Sequence, residues 1–344
     1  MDYKSSGVDI DAGHEVVERV KRLAKSSFTE GVLSDIGTFG GLFRPELTGL
    51  KEPVLVASAD GVGTKLKVAF LAHKHGTVGL DLVNHCVNDI LVQGARPIFF
   101  LDYLATGRLV PAVSVAVIEG IARGCKANHC ALLGGETAEM PGFYADGEYD
   151  LAGFVVGLVD RAGIIDGRCI EPGDALIGLA ASGLHTNGYS LARRVLFETL
   201  GLRVDSVVEE LGGAVGDVLL RPHRSYLDAL LPLVDDAARP VKGLAHITGG
   251  GLTDNVPRIL PDGMAARIDR AAWTVPPIFR FLQQHSHLSD AEMYRTFNMG
   301  IGMVVACATD VAGAVSATIA AQAEDLNAVV IGSVIEGHRT VVYA

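Results

Sequence analysis

Short apolar runs alternate along the chain with segments whose apolar residues recur every three or four positions. The run P-V-L-V-A-S at 53–58 predicts a buried strand, and apolar residues between Gly13 and Ala24 share one face of a predicted helix. Further helices are predicted at about 65–72, 80–94, 113–126, 188–200, 222–236, 277–285 and 310–323, with another ending at Leu260. Further strands are predicted at about 97–105, 130–133, 151–159, 175–181, 242–247, 264–268, 300–307, 327–335 and 339–343. Mixing of strands and helices in both halves predicts an α/β fold with mixed α+β character.

The segment between the two halves is charged and rich in turn-forming residues. It runs D-R-A-G-I-I-D-G-R-C-I-E-P-G-D over 160–174, and this composition is typical of a domain boundary. A chain of 344 residues is long enough for two ordinary domains. We therefore expect an N-terminal domain at 1–166 and a C-terminal α/β domain at 167–344.

Composition and charge narrow the classes of function. The formal net charge is −11 and no run of Lys and Arg is present, so nucleic-acid binding has little electrostatic support. No apolar run approaches the ~20 residues that a membrane span needs. The five cysteines form no C-x-x-C pair, and the N-terminal stretch lacks the apolar core of a signal peptide. These features indicate a reduced, cytoplasmic protein with neither nucleic-acid nor membrane partners.

The turn D-G-V-G-T-K at 60–65 has the residue types of a phosphate site without the spacing of a standard one. It lacks the full G-x-x-x-x-G-K-[ST] loop, and a dinucleotide fingerprint would need a third glycine three residues after Gly63. Gly61 and Gly63 would still let backbone N–H groups approach an anion at a helix N-terminus. Lys65 would add a charge, and Asp60 would offer oxygen to Mg²⁺. A plain strand-to-helix turn with a solvated lysine explains the same residues, so both interpretations stay open.

The helix predicted at 80–94 carries a polar stripe on an otherwise apolar sequence. Its members Asp81, Asn84, His85 and Asn88 fall at i, i+3, i+4 and i+7, and Asp89 lies beside them. An exposed stripe is usually rich in Lys and Glu, whereas short Asn, Asp and His side chains suit a hydrated metal site. Asp60 and Asp89 together would supply two carboxylates to a nucleotide-bound Mg²⁺. An ordinary amphipathic helix is the alternative.

Three glycine-containing motifs follow predicted strands, where polar side chains often form sites. The first, L-L-G-G-E-T-A-E-M-P-G, places Glu136 and Thr137 at the end of a strand. The second, H-T-N-G-Y-S at 185–190, and the third, H-I-T-G-G-G at 246–251, have the residue types of an anion or substrate site. A tight turn, a helix N-cap or a hydrogen-bonded structural histidine would explain each motif as well.

In their order along the chain, these motifs resemble those of one enzyme family. The runs are D-G-V-G-T-K, C-V-N-D, F-F-L-D-Y, G-G-E-T-A-E-M-P-G, H-T-N-G-Y-S-L, H-I-T-G-G-G and M-Y-R-T-F-N-M-G-I-G-M, and the family is the phosphoribosylformylglycinamidine cyclo-ligases. The resemblance implies a two-domain ATP-dependent cyclo-ligase fold, and a homodimer formed by pairing of N-terminal sheets. It also implies ATP and Mg²⁺ as cofactors and formylglycinamidine ribonucleotide as substrate. The implied reaction is ring closure to aminoimidazole ribonucleotide in purine biosynthesis, with release of ADP and phosphate.

The resemblance also implies roles for individual residues. Asp60 and Asp89 would bind Mg²⁺, Lys65 would bind phosphate, and the loop at 36–41 would cover ATP. The catalytic residues would be Lys65, Asp89, His185 and His246. The ATP-binding residues would be Gly37, Gly40, Gly41, Asp60, Gly61, Gly63, Thr64, Lys65, Asn88, Glu136 and Thr137. The substrate-binding residues would be His185, Asn187, Thr248, Gly249 and Gly250. We expect Lys65→Ala to lower turnover far more than thermal stability.

Related enzymes share turns of the D-G-x-G-T-K type, which leaves alternatives. Selenophosphate synthetase is expected to carry a reactive Cys or selenocysteine in an N-terminal loop, whereas no Cys precedes Cys86 here. Thiamine-monophosphate kinase is a second alternative. A non-catalytic nucleotide-binding subunit would lack the acidic residues or the lysine, and this chain has both.

Overall fold

The charged segment at 160–174 lies where the chain passes from one structural unit to the next. The computed structural model describes residues 10–37, 39–323 and 325–344. One unit takes the chain up to Ile90 together with Ala95–Arg161, and the other takes Leu91–Gly94 together with Ala162–Ala344. No helix within the described ranges has both the length and the apolar content needed to cross a membrane.

A four-stranded sheet forms the first unit. Its elements, in chain order, are α1 (Ile10–Lys25), β1 (Pro53–Gly61), α2 (Lys65–Ala72), α3 (Val78–Leu91), β2 (Arg96–Thr106), α4 (Pro111–Ala127), β3 (Ala131–Glu139) and β4 (Tyr149–Asp160). The strands lie in the order β1-β4-β2-β3. β2 and β3 are parallel, so α4 serves as the crossover between them, whereas β4 is antiparallel to β1 and β2.

Helix α3 forms part of the core of this unit. Leu82, Val83, Val87 and Ile90 have no exposed surface. A helix whose surface is covered nearly all round is a core element, not a surface amphipathic helix. The polar residues of α3 that are buried as well are Asp81, Asn84, His85 and Asn88. They need partners inside the protein.

A six-stranded sheet and its surrounding helices form the second unit. Its strands are β5 (Ala175–Ala180), β6 (Val207–Val208), β7 (Gly213–Ala214), β8 (Val241–His246), β9 (Met264–Ile268), β10 (Ile301–Cys307), β11 (Ala328–Glu336) and β12 (Val341–Tyr343). Its helices are α5 (Tyr189–Arg193), α6 (Val215–Leu219), α7 (Leu227–Val234), α8 (Gly251–Asn255), α9 (Pro277–Ser286), α10 (Asp290–Thr296) and α11 (Ala312–Gln322). Arg194–Thr199 continues α5 as a π-helical turn, and 3₁₀ turns occur at Arg161–Gly163, Glu209–Leu211, Val256–Ile259 and Thr309–Val311.

The strand order of the large sheet is β12-β9-β11-β5-β10-β8, and β6 and β7 form a separate hairpin. β12 is parallel to β9, and the other pairs are antiparallel. β10 is buried along its whole length between β5 and β8. Mixed sheets and helices in both units confirm the predicted α/β class.

Several elements differ from the sequence-based expectation. The predicted strand at 130–133 continues as β3 to Glu139, so Glu136 and Thr137 lie inside a strand and not in a turn after it. The strand continues because Gly134 and Gly135 pair with β2, opposite Leu101 and Asp102. Helices α6 and α10 were not predicted, because five and seven residues are too few to show a helical period.

Asp102 is a buried carboxylic acid at the centre of the first sheet. It lies in β2 between Gly135 of β3 and Gly153 of β4, and a Cβ at position 135 would collide with its Oδ1 atom. Burial raises the pKa of Asp102, a backbone hydrogen bond opposes this effect and the charge of Glu136 adds to it, and together they bring the pKa to about 7. The folded protein therefore holds this carboxyl protonated at pH values where an unfolded chain would ionise it.

We predict that Asp102→Asn stabilises the protein increasingly as the pH rises from 4 to 8. Because the pKa of Asp102 is higher in the folded protein than in the unfolded chain, protonation of this carboxyl stabilises the folded wild type. That stabilisation is fully present below the pKa of the unfolded chain and is lost as the pH rises through about 7. A pKa rise from about 3.9 to about 7 corresponds to a loss of roughly 4 kcal/mol in the free energy of unfolding of the wild type. The neutral amide of Asn would not undergo this loss. The measurement is the midpoint of thermal unfolding against pH, with the exposed Asp146→Asn as control. A difference between Asp102→Asn and wild type that stays constant over this range would contradict the prediction.

Candidate functional site

The D-G-V-G-T-K turn joins β1 to α2. Gly61 is the last residue of β1, and its N–H donates to Oδ1 of Asp60 at 2.7 Å, so this N–H is already engaged. Gly63 has φ +64°, a left-handed conformation that favours glycine. Helix α2 then begins at Lys65, after Thr64. The turn has the backbone shape expected from the sequence, but the Gly61 N–H does not point to a free anion site.

Lys65 lies inside the first unit. Its side chain has no exposed surface, and its Nζ is 2.9 Å from both carboxylate oxygens of Asp81. Burial lowers the pKa of Lys65, and the Asp81 carboxylate opposes that effect. The expected phosphate contact is therefore not supported by this geometry. The ammonium group of the first residue of α2 thus lies against Asp81 in the first turn of α3.

The polar stripe on α3 is buried and largely paired within the protein. Asn84 accepts a hydrogen bond of 2.8 Å from Nδ2 of Asn128, whose Nδ2 also donates to the Gly124 carbonyl at 2.8 Å. Asn88 has no exposed surface, and its expected role in lining an ATP site stays a prediction. Neither alternative considered from the sequence describes this part of the stripe, because it is neither a solvated face nor a hydrated site.

Two carboxylates from different elements converge on one imidazole. Nε2 of His85 lies 2.8 Å from Oδ2 of Asp60 and 3.7 Å from Oδ2 of Asp89, which also accepts from Oγ of Ser58 at 3.2 Å. Burial lowers the pKa of His85, but the hydrogen bond that His85 donates to Asp60 and the charges of Asp89, Asp60 and Asp81 outweigh it and raise the pKa overall. The side chains of Asp60 and Asp89 are 45% and 27% exposed, so both carboxylates are accessible to a ligand.

The glycines of the 36–41 loop differ in their surroundings. Gly37 has φ +106°, a Cβ on Gly40 would meet no atom of the described residues beyond its chain neighbours within 4 Å, and a Cβ on Gly41 would collide with the Leu133 side chain. Next to this loop, Lys25 forms a 2.9 Å ion pair with Asp35, and both side chains are exposed. Such an exposed pair contributes little stability.

In the second unit, the H-T-N-G and H-I-T-G-G-G motifs lie side by side. Any Cβ on Gly249 would be 3.3 Å from Oδ1 of Asn187, so the two motifs are in contact. Nδ2 of Asn255 donates to the carbonyl oxygens of Gly249 at 3.1 Å and Gly251 at 2.9 Å, and this holds the glycine turn in place. Asn187, Thr248, Gly249 and Gly250 are at least partly exposed.

The two histidines of these motifs are more deeply buried. His185 is 1% exposed and His246 is 6% exposed. His185 has φ +61°, which is uncommon outside glycine and often marks a functional position. Its Nε2 accepts a 3.3 Å hydrogen bond from the Ser182 N–H. The structure thus brings the two predicted histidines into one buried cluster.

A third histidine, His223, completes this cluster and was not identified from the sequence. Ring nitrogens of His185, His223 and His246 lie within 4.8 Å of one another. His223 lies outside the recognised motifs, in the segment before α7, where a helix was predicted instead. Mg²⁺ prefers oxygen ligands, so this nitrogen-rich cluster does not serve as a magnesium site.

We predict that Lys65→Met lowers the stability of the protein by about 3 to 5 kcal/mol, because Asp81 would remain buried without its counter-charge. This reverses the expectation from the sequence, in which turnover is affected more than stability. The double variant Lys65→Met with Asp81→Leu should recover most of the loss. The measurement is the midpoint of urea unfolding, with Arg168→Met as control because Arg168 pairs with Asp166 at the surface. An unchanged midpoint for Lys65→Met would refute the structural role.

Two family models match the chain. Residues 47–159 match the AIR synthase related protein, N-terminal domain, and residues 171–344 match the corresponding C-terminal domain. The phosphoribosylformylglycinamidine cyclo-ligase of Alkaliphilus oremlandii is 51% identical over 341 residues, which cover 99% of this chain and 98% of that protein. The enzyme of the same name from Syntrophotalea carbinolica is 59% identical over 305 residues, covering 89% and 87%.

Solved structures with the same fold come from other enzymes and maturation proteins. Thiamine-monophosphate kinase from Stenotrophomonas maltophilia has a TM-score of 0.66 at 19% identity, covering 96% of this chain and 95% of that chain. The hydrogenase maturation protein HypE in complex with ATP has a TM-score of 0.69 at 20% identity, covering 96% and 90%. At such identities the likeness shows the fold alone. The matches over both domains, and the near-full-length identity above 50%, show that the chain belongs to the phosphoribosylformylglycinamidine cyclo-ligase family.

Proposed function

We propose that this chain catalyses ATP-dependent ring closure of formylglycinamidine ribonucleotide to 5-aminoimidazole ribonucleotide, in de novo purine biosynthesis. The observation that carries the proposal is the 51% identity over 341 residues to a cyclo-ligase, because it spans both domains from end to end. Thiamine-monophosphate kinase shares the fold at only 19% identity, and a shared fold does not imply a shared function.

The chemistry requires activation of an unreactive carbonyl group. A formamide carbon is a poor electrophile, and its oxygen is a poor leaving group. Transfer of the γ-phosphoryl group of ATP forms an O–P bond on the formamide oxygen and breaks the bond to ADP, which gives an iminophosphate. The amidine-side nitrogen then attacks the formyl carbon, the C–O bond breaks, and phosphate leaves with formation of the imidazole ring. Phosphoryl transfer needs mainly positioning and charge neutralisation, so no protein nucleophile is required.

Asp60 and Asp89 fit the requirements of a Mg²⁺ site. They offer oxygen ligands, both are accessible, and they converge on the same imidazole of His85. Burial lowers the pKa of that imidazole, but the hydrogen bond it donates to Asp60 and the charges of Asp89, Asp60 and Asp81 raise the pKa overall, which supports a position that favours positive charge. Bound Mg²⁺ would neutralise phosphate charge during transfer. Lys65 enters the proposal as the counter-charge of Asp81 and not as a phosphate ligand.

The remaining site residues keep their proposed roles. The 36–41 loop with Gly37, Gly40 and Gly41 would contact ATP, as would Gly63, Thr64 and the exposed Glu136. In the second unit, Asn187, Thr248, Gly249 and Gly250 are accessible and would contact the ribonucleotide. His185 and His246 lie within two residues of Asn187 and Thr248 in the sequence, and they would serve as catalytic residues from the buried cluster.

The assay that tests the proposal supplies ATP, Mg²⁺ and formylglycinamidine ribonucleotide to the purified protein. ADP and the aromatic amine of the product should appear in equal amounts, and ADP should not form when the ribonucleotide is omitted. The control reactions contain thiamine monophosphate or selenide instead. Rapid ATP turnover with either of these, and none with the ribonucleotide, would refute the proposed function.

We predict that Asp60→Asn and Asp89→Asn raise the Mg²⁺ concentration needed for half-maximal activity by about tenfold or more, because each removes one anionic ligand. The measurement is the initial rate against free Mg²⁺, and removal of the metal by EDTA should stop the wild-type reaction. Asp146→Asn, at an exposed position of the same unit, is the matched control. Variants with a normal Mg²⁺ dependence would exclude these two residues as ligands.

We also propose a cytoplasmic homodimer that pairs through the first sheet. Leu55 on β1 and Phe154 on β4 are 65% and 45% exposed, and strand alternation and register place them on one face of the sheet. Exposed apolar patches of this kind mark association surfaces.

We predict a dimeric mass in sedimentation equilibrium, and a shift toward monomer for Leu55→Lys. Val207→Lys, on the β6–β7 hairpin, should leave the mass unchanged. A monomeric wild-type protein would exclude the pairing.

A further inference from the structure

His223 is fully buried and lies between the two histidines of the proposed substrate site. Its ring stacks on that of His185 with a centroid distance of 4.0 Å and an interplanar angle of 22°. Its Nε2 lies 3.0 Å from Nε2 of His246, and its Nδ1 lies 3.4 Å from Oγ1 of Thr186. His223 therefore contacts three residues drawn from the H-T-N-G and H-I-T-G-G-G motifs.

The contact between the two Nε2 atoms couples the protonation of two rings. A neutral imidazole has one donor nitrogen and one acceptor nitrogen. Two Nε2 atoms at hydrogen-bond distance share one proton, so one ring carries it there and the other accepts. If His223 donates, then His246 must carry its own proton on Nδ1. The Thr186 hydroxyl can donate or accept at the opposite nitrogen of His223, so it suits either arrangement.

The surrounding backbone holds these rings closely. A Cβ on Gly302 of β10 would collide with Cε1 of His185 and with Oη of Tyr226, so only glycine leaves space for both rings. Oη of Tyr226 donates to the Ala180 carbonyl at 3.0 Å. The left-handed conformation of His185 is retained inside this packing, as expected where surrounding contacts determine the backbone.

We propose that His223 is a positioning residue for the ring-closure reaction, which fixes the tautomer and orientation of His246. The proposal rests on the proposed function. His223 has no exposed surface, so it acts through His246 and not by touching the substrate. The orientation of an imidazole and the nitrogen that carries its proton both decide which hydrogen bond it offers to a ligand.

Three substitutions separate the contacts of His223. His223→Gln places an amide near the original Nε2 and keeps the contact with His246. His223→Asn places its amide near the original Nδ1 and keeps only the contact with Thr186. His223→Phe keeps the ring stack and removes both polar contacts. We expect Asn and Phe to lower kcat by about 10- to 100-fold, as small misplacements in an active site do, with a smaller change in KM. Gln should restore most of kcat.

The matched control is His285→Gln, a histidine of the same unit whose ring lies on Phe281 with a centroid distance of 4.5 Å. It should leave kcat and KM unchanged. Each rate is divided by the folded fraction, measured from ATP binding and circular dichroism. Wild-type kcat in His223→Asn or His223→Phe would overturn the proposal. So would an equal loss in all three variants, because that result would indicate packing without positioning.

A spectroscopic measurement on the wild-type protein does not depend on the folding of any variant. Two-bond ¹H–¹⁵N correlation spectra of ¹⁵N-histidine-labelled protein report the tautomer of each ring. We expect a proton on Nε2 of one member of the His223–His246 pair and on Nδ1 of the other. The same tautomer in both rings would overturn the proposal. This readout does not use the reaction, so failure of the ring-closure assay with the expected spectrum would reject the proposed function alone.

Discussion

Burial of the polar face of α3 is the constraint on which the arrangement of the first unit depends. Each buried ion costs several kcal/mol to desolvate, and only close pairing offsets that cost. The Lys65–Asp81 pair meets this condition and joins the first residue of α2 to the first turn of α3. The turn between β1 and α2 is thereby held against α3, and Asp60 in that turn meets His85 one helical turn beyond Asp81.

The polar residues of α3 have a structural role at the Asp81 end of the helix and a proposed chemical role at the Asp89 end. Asp81 and Lys65 are fully buried and paired, His85 has a side chain that is 5% exposed, and Asp89 has one that is 27% exposed. Groups at the buried end can only hold the fold together. At the other end, the Asp60 carboxylate lies 2.8 Å from Nε2 of His85, and the accessible Asp89 carboxylate lies beside it. Helix α3 thus carries both the buried ion pair that stabilises the unit and the side chains next to the proposed metal site.

The sequence predicts the type of most elements because apolar periodicity is a local property. It also identifies the stripe on α3, but it cannot show which way the stripe faces, since that depends on what packs against it. The Lys65–Asp81 pair joins residues 16 positions apart, and no local pattern distinguishes a buried lysine from a solvated one after a glycine turn. His223 is 38 positions from His185 and 23 from His246, so only the fold places it in the cluster.

The two units present different chemistry, and the proposed reaction has a use for each kind. Phosphoryl transfer concentrates negative charge, which Mg²⁺ held by carboxylates would neutralise, and Asp60 and Asp89 of the first unit are the carboxylates proposed for that role. Ring closure moves protons between nitrogen atoms, and imidazole is the side chain whose ordinary pKa allows exchange near neutral pH. The histidine cluster of the second unit would supply imidazole groups for this step. Its buried contacts would limit each ring to one orientation, so the proton would be presented at a defined atom and not exchanged at random with water.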